Sequence, residues 1–395
     1  MPNELRLARR TSVHLDLIRS VSAVAVLLYH TRGHFFVDYP YLAKKSLFAM
    51  ALYAATGYGH QAVMVFFVLS GYFIGTSVLE SVGERRWSWR TYLVSRVTRL
   101  QLVLFPALIL GAAWDQIGMR IPQASSLYFG ALYKFSGPSV AIRSTLPVFF
   151  GNFFYLQSIV SPVFGSNGPL WSLSYEFWYY LLFPALILAA TAREKTRDRL
   201  LHALLALLLV CFLGVQISEY FVIWLAGVLV GHLQRSTKFR TSSPALPLAA
   251  GLLFAGSLAW CRLLPPSSGF LTDLIVAFCF ALWLYTLLLG SREDASAAYA
   301  HGAKKLAGFS YTLYLTHFPA LLLLRGLLDP RENWQPDAHH LAYGFAIALL
   351  MLLYAYGVAE LTEAHTGAVR RLLLRLGAPL EISAQPGLAS QGLRQ

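Results

Sequence analysis

Two ionisable side chains, Arg19 and His30, lie within an apolar stretch long enough to cross a membrane, LDLIRSVSAVAVLLYH. Ionisable groups inside a span usually face a water-filled path or an active site, because hydrocarbon solvates them poorly. In a helix, their spacing of eleven residues is about 20° more than three full turns, so both side chains share one face. At roughly 1.5 Å per residue, His30 lies about 16 Å further across the membrane than Arg19. An anion bound near Arg19 could therefore deliver a group to a base at His30.

Each of these two residues also has a purely structural interpretation. A neutral imidazole suits a general base near neutral pH, but a buried histidine can instead bond a neighbouring carbonyl. A guanidinium offers a planar fork of donors to a phosphate, but Arg19 can instead pair with Asp16, which lies three residues earlier. Taken alone, the position of each residue leaves both interpretations open.

A carboxylate and several aromatic side chains come together in the segment GPLWSLSYEFWYYLLFP. Glu176 lies within a predicted span, where a carboxylate is costly unless it is paired or functional. Glu176 could orient His30 through the second ring nitrogen of the imidazole, or it could bind the hydroxyl groups of a substrate. Four neighbours could bind a sugar by stacking and hydrogen bonding, or could instead form an aromatic belt at the membrane surface: Trp171, Ser172, Tyr175 and Tyr179.

Composition places these residues in a multi-pass membrane protein. The 395 residues have a mean hydropathy of +0.54 and only 13% are charged, which is too apolar for a soluble protein. Apolar runs of about 20 residues recur along the chain, as membrane helices require. We therefore predict an all-α, polytopic transmembrane bundle of about ten spans, at roughly 15–36, 60–80, 92–115, 170–191, 199–217, 218–234, 245–264, 270–290, 306–327 and 340–361.

The predicted domain organisation is simple. One membrane domain, residues 15–365, follows a short N-terminal segment, 1–14, and precedes a tail, 366–395, whose polar end is typical of disordered chain. The apolar run LPVFFGNFFYLQSIV is interpreted as interfacial or re-entrant, because an extra span there would disturb the charge distribution. Any chemistry must then take place within the bundle or at its mouths.

The distribution of charge predicts the orientation. Most of the 32 lysines and arginines fall on one side of the membrane if the N-terminus is cytoplasmic. This positive-inside bias places both termini in the cytoplasm. The net charge of +13 therefore reflects topology and contact with membrane lipid, and we expect no nucleic-acid partner. Asp115 and Asp273 lie near predicted outer span ends and are expected to be solvated.

No metal site is predicted from the sequence. The three cysteines, Cys211, Cys261 and Cys279, lack the spacing of metal ligands and are interpreted as inert thiols. His339 and His340 are adjacent but have no third ligand nearby in the sequence.

Four segments, in order along the chain, resemble motifs of the acyltransferase-3 family: LDLIRSVSAVAVLLYH, FFVLSGYFIG, GPLWSLSYEFWYYLLFP and FSYTLYLTHFP. The resemblance covers residues 15–360. Members of this family are integral membrane acyltransferases that commonly O-acetylate the sugars of glycans. The resemblance implies acyl-CoA as a donor substrate with no permanently bound cofactor. It also implies a sugar, glycan or lipid-linked glycan acceptor, and a multi-pass location in a bacterial plasma (inner) membrane.

The resemblance further implies that His30 is essential, since Arg19 and His30 match the arginine and histidine of the family motif. Arg96 and Arg99, in SRVTRLQLVLFP, could join Arg19 around the donor phosphates or could simply flank the span. Glu360 lies near a late glutamate of the family but lacks the usual proline after it, so no role is transferred to it.

The segment FSYTLYLTHFP carries three polar aromatic residues at intervals of three, Tyr311, Tyr314 and His317. On one helix, residues at this spacing can face one cavity. The resemblance implies that they line the cavity or contact the donor.

The leading interpretation is an O-acyltransferase, most simply an O-acetyltransferase, that uses cytoplasmic acyl-CoA and an acceptor at the outer face, with His30 as general base. In a second mechanism, His30 attacks the thioester first and carries the acyl group covalently. A rival class is a multi-pass transporter or lipid flippase with a histidine proton relay. The sequence leaves open the acceptor, the acyl chain length and the choice between the two mechanisms.

Overall fold

The computed structural model describes residues 2–130, 139–191, 195–237, 243–262, 269–290, 297–328 and 333–376. Within these ranges the chain forms helices and no strands, which confirms the predicted all-α class. The helices are α1 (Pro2–Phe35), α2 (Leu47–Ala55), α3 (Gly59–Gly83), α4 (Trp89–Met119), α5 (Ser125–Phe129), α6 (Val140–Arg143), α7 (Leu146–Phe153), α8 (Trp171–Ala190), α9 (Thr196–Ser236), α10 (Ala245–Trp260), α11 (Gly269–Gly290), α12 (Ala297–Ala307), α13 (Ser310–Leu328), α14 (Ala338–Leu361) and α15 (Thr366–Leu376). The tail beyond 376, predicted to be disordered, lies outside the described residues.

The described helices form a polytopic membrane bundle. Seven of its segments are long and apolar enough to cross a membrane, and an eighth results if α12 and α13, bent by 48°, count as one span. Two differences separate this count from the ten predicted spans. The predicted spans 199–217 and 218–234 both fall within the 41 residues of α9. The predicted span 245–264 is α10, whose 16 residues are fewer than the roughly 20 of a full crossing. The number of crossings stays a prediction.

Side-chain contacts show how the helices run. α1 and α13 run in the same direction, because Arg19 contacts Ser310 at the start of α13 and His30 contacts His317 further along both helices. We call the end of the bundle near Arg19 the proximal face and the end near His30 the distal face. The proximal face is the side predicted to be cytoplasmic.

α3 and α8 run the opposite way, from the distal to the proximal face. Gly59, the first residue of α3, packs against Tyr29 near the distal end of α1. His60 then stacks on Trp171, the first residue of α8. The two helices therefore begin side by side at the distal face.

α9 reverses its direction at Gly214, whose φ of 72° and ψ of 179° are not helical. Glycine adopts a positive φ without the steric cost that a side chain would add. Before the break, Arg199 donates to the carbonyl of Ala189 at the proximal end of α8. After the break, Arg235 pairs with Glu80 near the proximal end of α3. Both ends of α9 therefore lie at the proximal face, and its two halves correspond to the two predicted spans.

α3 and the second half of α9 are in backbone contact at two glycines. A Cβ atom added at Gly71 would lie 1.9 Å from the carbonyl oxygen of Trp224, and one added at Gly227 would lie 1.9 Å from that of Val68. Small residues let membrane helices approach this closely. The contact positions Ser70, the residue before Gly71, beside α8.

A Gly71→Ala substitution is expected to destabilise the purified protein, because its methyl group would overlap the carbonyl oxygen of Trp224. Overpacking of this kind costs about 1–3 kcal/mol. Thermal unfolding in detergent measures the effect. Gly83→Ala is the matched control, since a Cβ atom at Gly83, at the end of the same helix, meets nothing within 4 Å. Equal melting temperatures for the two variants would contradict the packing role.

The segment between α6 and α8 enters the bundle from the distal face and returns. At its deepest point, Gln101 of α4 donates to the carbonyl of Phe153 and accepts from the hydroxyl of Tyr155. On its return, Ser166 donates through its backbone nitrogen and its hydroxyl to the carboxylate of Asp115, also on α4. Gln101 and Asp115 are separated by roughly 21 Å along that helix. The segment therefore enters and leaves at the same face of the bundle, and its interfacial or re-entrant position in the membrane stays a prediction. Asp115 is buried rather than solvated.

Candidate active site

His30 and His317 form a hydrogen-bonded pair between α1 and α13. His30 Nδ1 lies 2.9 Å from His317 Nε2, and the two ring planes are 25° apart. His317 Nδ1 in turn lies 2.7 Å from the carbonyl oxygen of Leu313, one turn earlier in α13. His317, for which the sequence predicted cavity lining or donor contact, is thus the direct partner of His30.

These hydrogen bonds fix the tautomers of both rings in their neutral form. The Leu313 carbonyl can only accept, so His317 carries its proton on Nδ1 and accepts at Nε2. His30 must then donate from Nδ1, which leaves a free lone pair on its Nε2. That nitrogen makes no hydrogen bond to any residue that the structure describes. An imidazole oriented through one nitrogen and free at the other is arranged as a general base.

The histidine pair is packed among aromatic rings near the distal face. His317 is buried, whereas His30 is partly exposed. The ring of Phe318 meets the His30 ring edge-on, with centroids 4.9 Å apart, and also contacts His34. The ring of Tyr314, one turn before His317, lies 6.4 Å from it. This packing restricts the rotation of both imidazoles.

Arg19 connects α1 to the break between α12 and α13. Its guanidinium donates to the carbonyl oxygen of Ala307 over 3.0 Å and to the hydroxyl of Ser310 over 3.3 Å. Ala307 ends α12, so its carbonyl has no partner within the helix and favours a cation. The Asp16 pairing that the sequence left open is not the arrangement found, because the hydrogen bonds of Arg19 go to these two groups.

Arg99 and Glu363 complete a charged cluster around Arg19. Arg99 lines the same cavity as Arg19 and is exposed within it. Glu363 accepts from the backbone nitrogen of Thr312 over 3.2 Å and from its hydroxyl over 2.9 Å. The Glu363 carboxylate lies within electrostatic range of both arginines. Asp16 and Glu176 also lie within electrostatic range of Arg19, so several carboxylates surround the two cations.

Sequence reasoning missed Glu363 and considered Glu360 instead. α14 ends at Leu361, and the chain then turns so that Glu363 points back toward α13 while Glu360 stays exposed. The sequence feature that could have identified Glu363 was its position two residues after the predicted end of the last span, at 361.

A cavity of about 90 Å³ extends from this charged cluster toward the distal face, and its lining includes neither His30 nor His317. At the proximal end it is lined by Arg19, Arg99 and Ser310, and at the distal end by Ser172 and Tyr314. Apolar side chains from α3 and α8 form much of the wall between the two ends: Val63, Phe66, Phe67, Leu69, Phe73, Ile74 and Leu173. Tyr311 also lines the cavity, as predicted from its spacing.

Glu176 lies in the wall of this cavity and does not orient His30. Its carboxylate accepts from the hydroxyl of Ser70 over 3.0 Å and from that of Tyr180. The prediction that Glu176 could orient His30 is therefore wrong in this structure, because His317 occupies the orienting nitrogen of His30. Glu176 instead adds a negative charge to the middle of the cavity.

The four predicted sugar-binding residues separate into two groups. Ser172 lines the cavity and bonds the Tyr314 hydroxyl over 2.7 Å, and Trp171 lies partly exposed beside it. Tyr175 and Tyr179 are buried in the core. The hydroxyl of Tyr179 donates to the carbonyl of a neighbouring helix, so both tyrosines pack the bundle rather than face a ligand.

Arg96 does not join Arg19 and Arg99. Its guanidinium lies 5.6 Å from the centre of the Tyr92 ring and is not part of the cavity lining. Among the described residues, no group of three histidine, cysteine or carboxylate side chains could hold a metal ion.

The fold and the site together define a class of protein. A helical membrane bundle with an internal cavity lined by an arginine pair near one face, and with an oriented imidazole near the other face, has the parts of a membrane-embedded group-transfer enzyme. The chain belongs to the acyltransferase-3 family: the family model, described as an acyltransferase domain, matches residues 13–360, nearly the whole chain. No curated protein and no solved structure matches the chain. The protein is a membrane acyltransferase.

Proposed function

We propose that this protein transfers an acyl group, most simply acetyl, from acyl-CoA at the proximal face to a hydroxyl of a sugar or glycan at the distal face. His30 is the general base. The observation that carries the proposal is the bond from His30 Nδ1 to His317, which leaves Nε2 of His30 free to accept a proton. The proximal face is cytoplasmic in this proposal, and the membrane is a bacterial plasma membrane.

The donor is held by the charged cluster at the proximal end. Arg19 and Arg99 offer two guanidinium groups, which suit the phosphates of a coenzyme A. The cavity is narrow, so it suits the linear arm of the coenzyme rather than its nucleotide. A rise of about 16 Å from Arg19 to His30 is on the scale that such an arm can bridge.

The chemistry takes place at Nε2 of His30. As the acceptor oxygen attacks the thioester carbonyl carbon, its proton moves to Nε2, and the carbon–sulfur bond then breaks. The proton passes from His30 to the leaving sulfur, which gives an ester and a free coenzyme A thiol. His317 keeps accepting from Nδ1 throughout, so it stabilises the transient positive charge on His30.

A purified sample tests this function directly. Acetyl-CoA carrying a radiolabelled acetyl group, mixed with the wild-type protein in detergent and an acceptor glycan, is expected to release free coenzyme thiol and to label the glycan. The same reaction without acceptor, quenched in acid, separates the two mechanisms, because label on the protein would indicate an acyl-histidine and its absence direct transfer. Failure to cleave acetyl-CoA or longer acyl-CoA with any glycan would contradict the proposal.

A further inference from the structure

A second histidine, His60, is held at the distal face by a buried carboxylate. His60 Nε2 lies 2.7 Å from Asp273 Oδ2, and the hydroxyl of Tyr220 donates to the same oxygen over 2.6 Å. These residues come from α3, α11 and α9, so Asp273 joins three helices. Asp273 is 3% exposed, although the sequence predicted that it would be solvated. The two hydrogen bonds compensate for its burial.

Asp273 determines which nitrogen of His60 carries the proton. A carboxylate only accepts, so Nε2 donates and Nδ1 of the neutral ring is an acceptor. Nδ1 makes no hydrogen bond to the described residues. The side chain of His60 is 45% exposed, whereas that of Asp273 is 4% exposed. A histidine that served only to connect the helices would not need an exposed ring nitrogen, so Nδ1 of His60 is available to bind a ligand.

The His60 ring lies at the distal mouth of the central cavity. His60 precedes Val63 by one turn on α3, and Trp171 directly precedes Ser172 on α8, while Val63 and Ser172 both line the cavity. The ring of His60 stacks on that of Trp171, with centroids 6.0 Å apart and planes at 24°. A polar acceptor and a partly exposed indole are therefore side by side just beyond the end of the cavity.

We propose that His60, Asp273 and Trp171 form the acceptor-binding site of this enzyme and that its ligand is a sugar ring. Trp171 provides an apolar face for the carbon–hydrogen groups of the ring, and His60 Nδ1 accepts a hydrogen bond from one of its hydroxyls. Gly59, next to His60, packs against Tyr29, next to His30, so the bound sugar lies close to the base. This inference rests on the proposed function, in which the acceptor is a carbohydrate.

His60 is a binding and positioning residue in this proposal, and Asp273 acts through it. Asp273 holds the imidazole in the tautomer that accepts at Nδ1, in the way that a carboxylate orients a histidine at other functional sites. Loss of His60 should therefore weaken acceptor binding and leave donor binding unchanged.

Sugar binding can be measured without any donor, and so independently of transfer. Saturation-transfer NMR on the wild-type protein in detergent is expected to detect at least one probe among the methyl glycosides of glucose, galactose, mannose and N-acetylglucosamine. His60→Phe keeps a flat ring on Trp171 but removes both nitrogens, and Trp171→Ala removes the platform. Each is expected to raise the dissociation constant of that glycoside at least tenfold, with the affinity for coenzyme A within twofold of wild type.

His232→Phe is the matched control, because His232 is an exposed histidine near the proximal end of α9, at the opposite face of the bundle from His60 and Trp171. Its glycoside affinity is expected to stay within twofold of wild type. If His60→Phe does not fold, His60→Gln keeps a donor for Asp273 and is expected to weaken glycoside binding at least threefold.

Three results would overturn the site: no contact between the wild type and any glycoside, unchanged affinity in the folded His60 and Trp171 variants, or an equal loss in His232→Phe. A wild type that binds glycoside through His60 but cleaves no acyl-CoA would leave the site standing and would overturn the proposed function instead.

Discussion

A His30→Ala variant is expected to lose acyl transfer by at least about 100-fold while remaining folded and inserted in the membrane. General bases contribute typically 10²–10⁴-fold, and alanine leaves no group that can take the acceptor proton. The ring of His30 is partly exposed and its Nε2 bonds no described residue, so folding does not depend on that nitrogen. Release of coenzyme thiol per mole of folded protein measures the effect.

His339→Ala is the matched control for this experiment, since His339 is an exposed histidine at the start of α14, away from the cavity. It is expected to retain the wild-type rate. His317→Ala should fall between the two, because His30 stays in place but loses the partner that orients it. A His30→Ala rate above roughly a tenth of wild type would rule out a general base at this position.

An Arg19→Ala variant is expected to bind coenzyme A at least about tenfold more weakly, because it loses a charge-assisted hydrogen bond to the donor phosphate. Arg19→Lys should recover only part of the affinity, since an ammonium keeps the charge but not the planar fork. Titration of coenzyme A into the purified variants, by calorimetry, gives the dissociation constants. Acceptor binding should not change in either variant.

Arg96→Ala is the control for Arg19, because Arg96 lies on the Tyr92 ring and off the cavity. Arg19 also bonds the carbonyl of Ala307, so its removal should lower the melting temperature to some extent. Measuring the affinity of the folded protein for coenzyme A separates the effect on donor binding from the effect on stability. Equal dissociation constants for wild type and Arg19→Ala would show that Arg19 only connects the helices.

Local geometry made part of the site predictable. The spacing of Arg19 and His30 on one helix was enough to place both along one path, because a helix fixes distance and direction between residues eleven apart. The spans of α1, α3, α4, α8, α11 and α14 followed from apolar length in the same way. The interpretation of the segment before α8 as interfacial or re-entrant rested on charge balance, a property of the whole chain rather than of the segment.

Partnerships across the bundle could not be predicted from the sequence. His30 and His317 are 287 residues apart, and no local pattern indicates that one histidine bonds the other. The expectation that Glu176 could orient His30 failed for the same reason, since its partner Ser70 depends on how α3 packs on α8. An apolar helix has several sides that can be buried, and the sequence alone does not say which neighbour each one meets.

The aromatic residues of this motif also differ in burial, which the sequence did not predict. Tyr175 stacks on Phe67 with the planes 9° apart, and Tyr179 is fully enclosed, although both share a motif with the partly exposed Trp171. Tyrosine suits a sugar site and a membrane core equally well, because its ring is apolar and its hydroxyl needs only one partner. Composition therefore suggested a sugar-binding role for all four residues but could not distinguish buried from accessible rings.

Helix α1 fixes the distance between Arg19 and His30. Under the proposed function, this distance determines how deeply the bound donor reaches into the bundle. If the coenzyme is held at Arg19, the thioester of every acyl-CoA reaches the same depth, and a longer acyl chain can extend only past His30. Under the proposed function, the side chains that limit the acyl chain would therefore lie beyond the base, where the ring of Phe318 packs edge-on against His30. Inserting one helical turn between the two residues, about 5.4 Å, would then stop transfer without removing a single functional group.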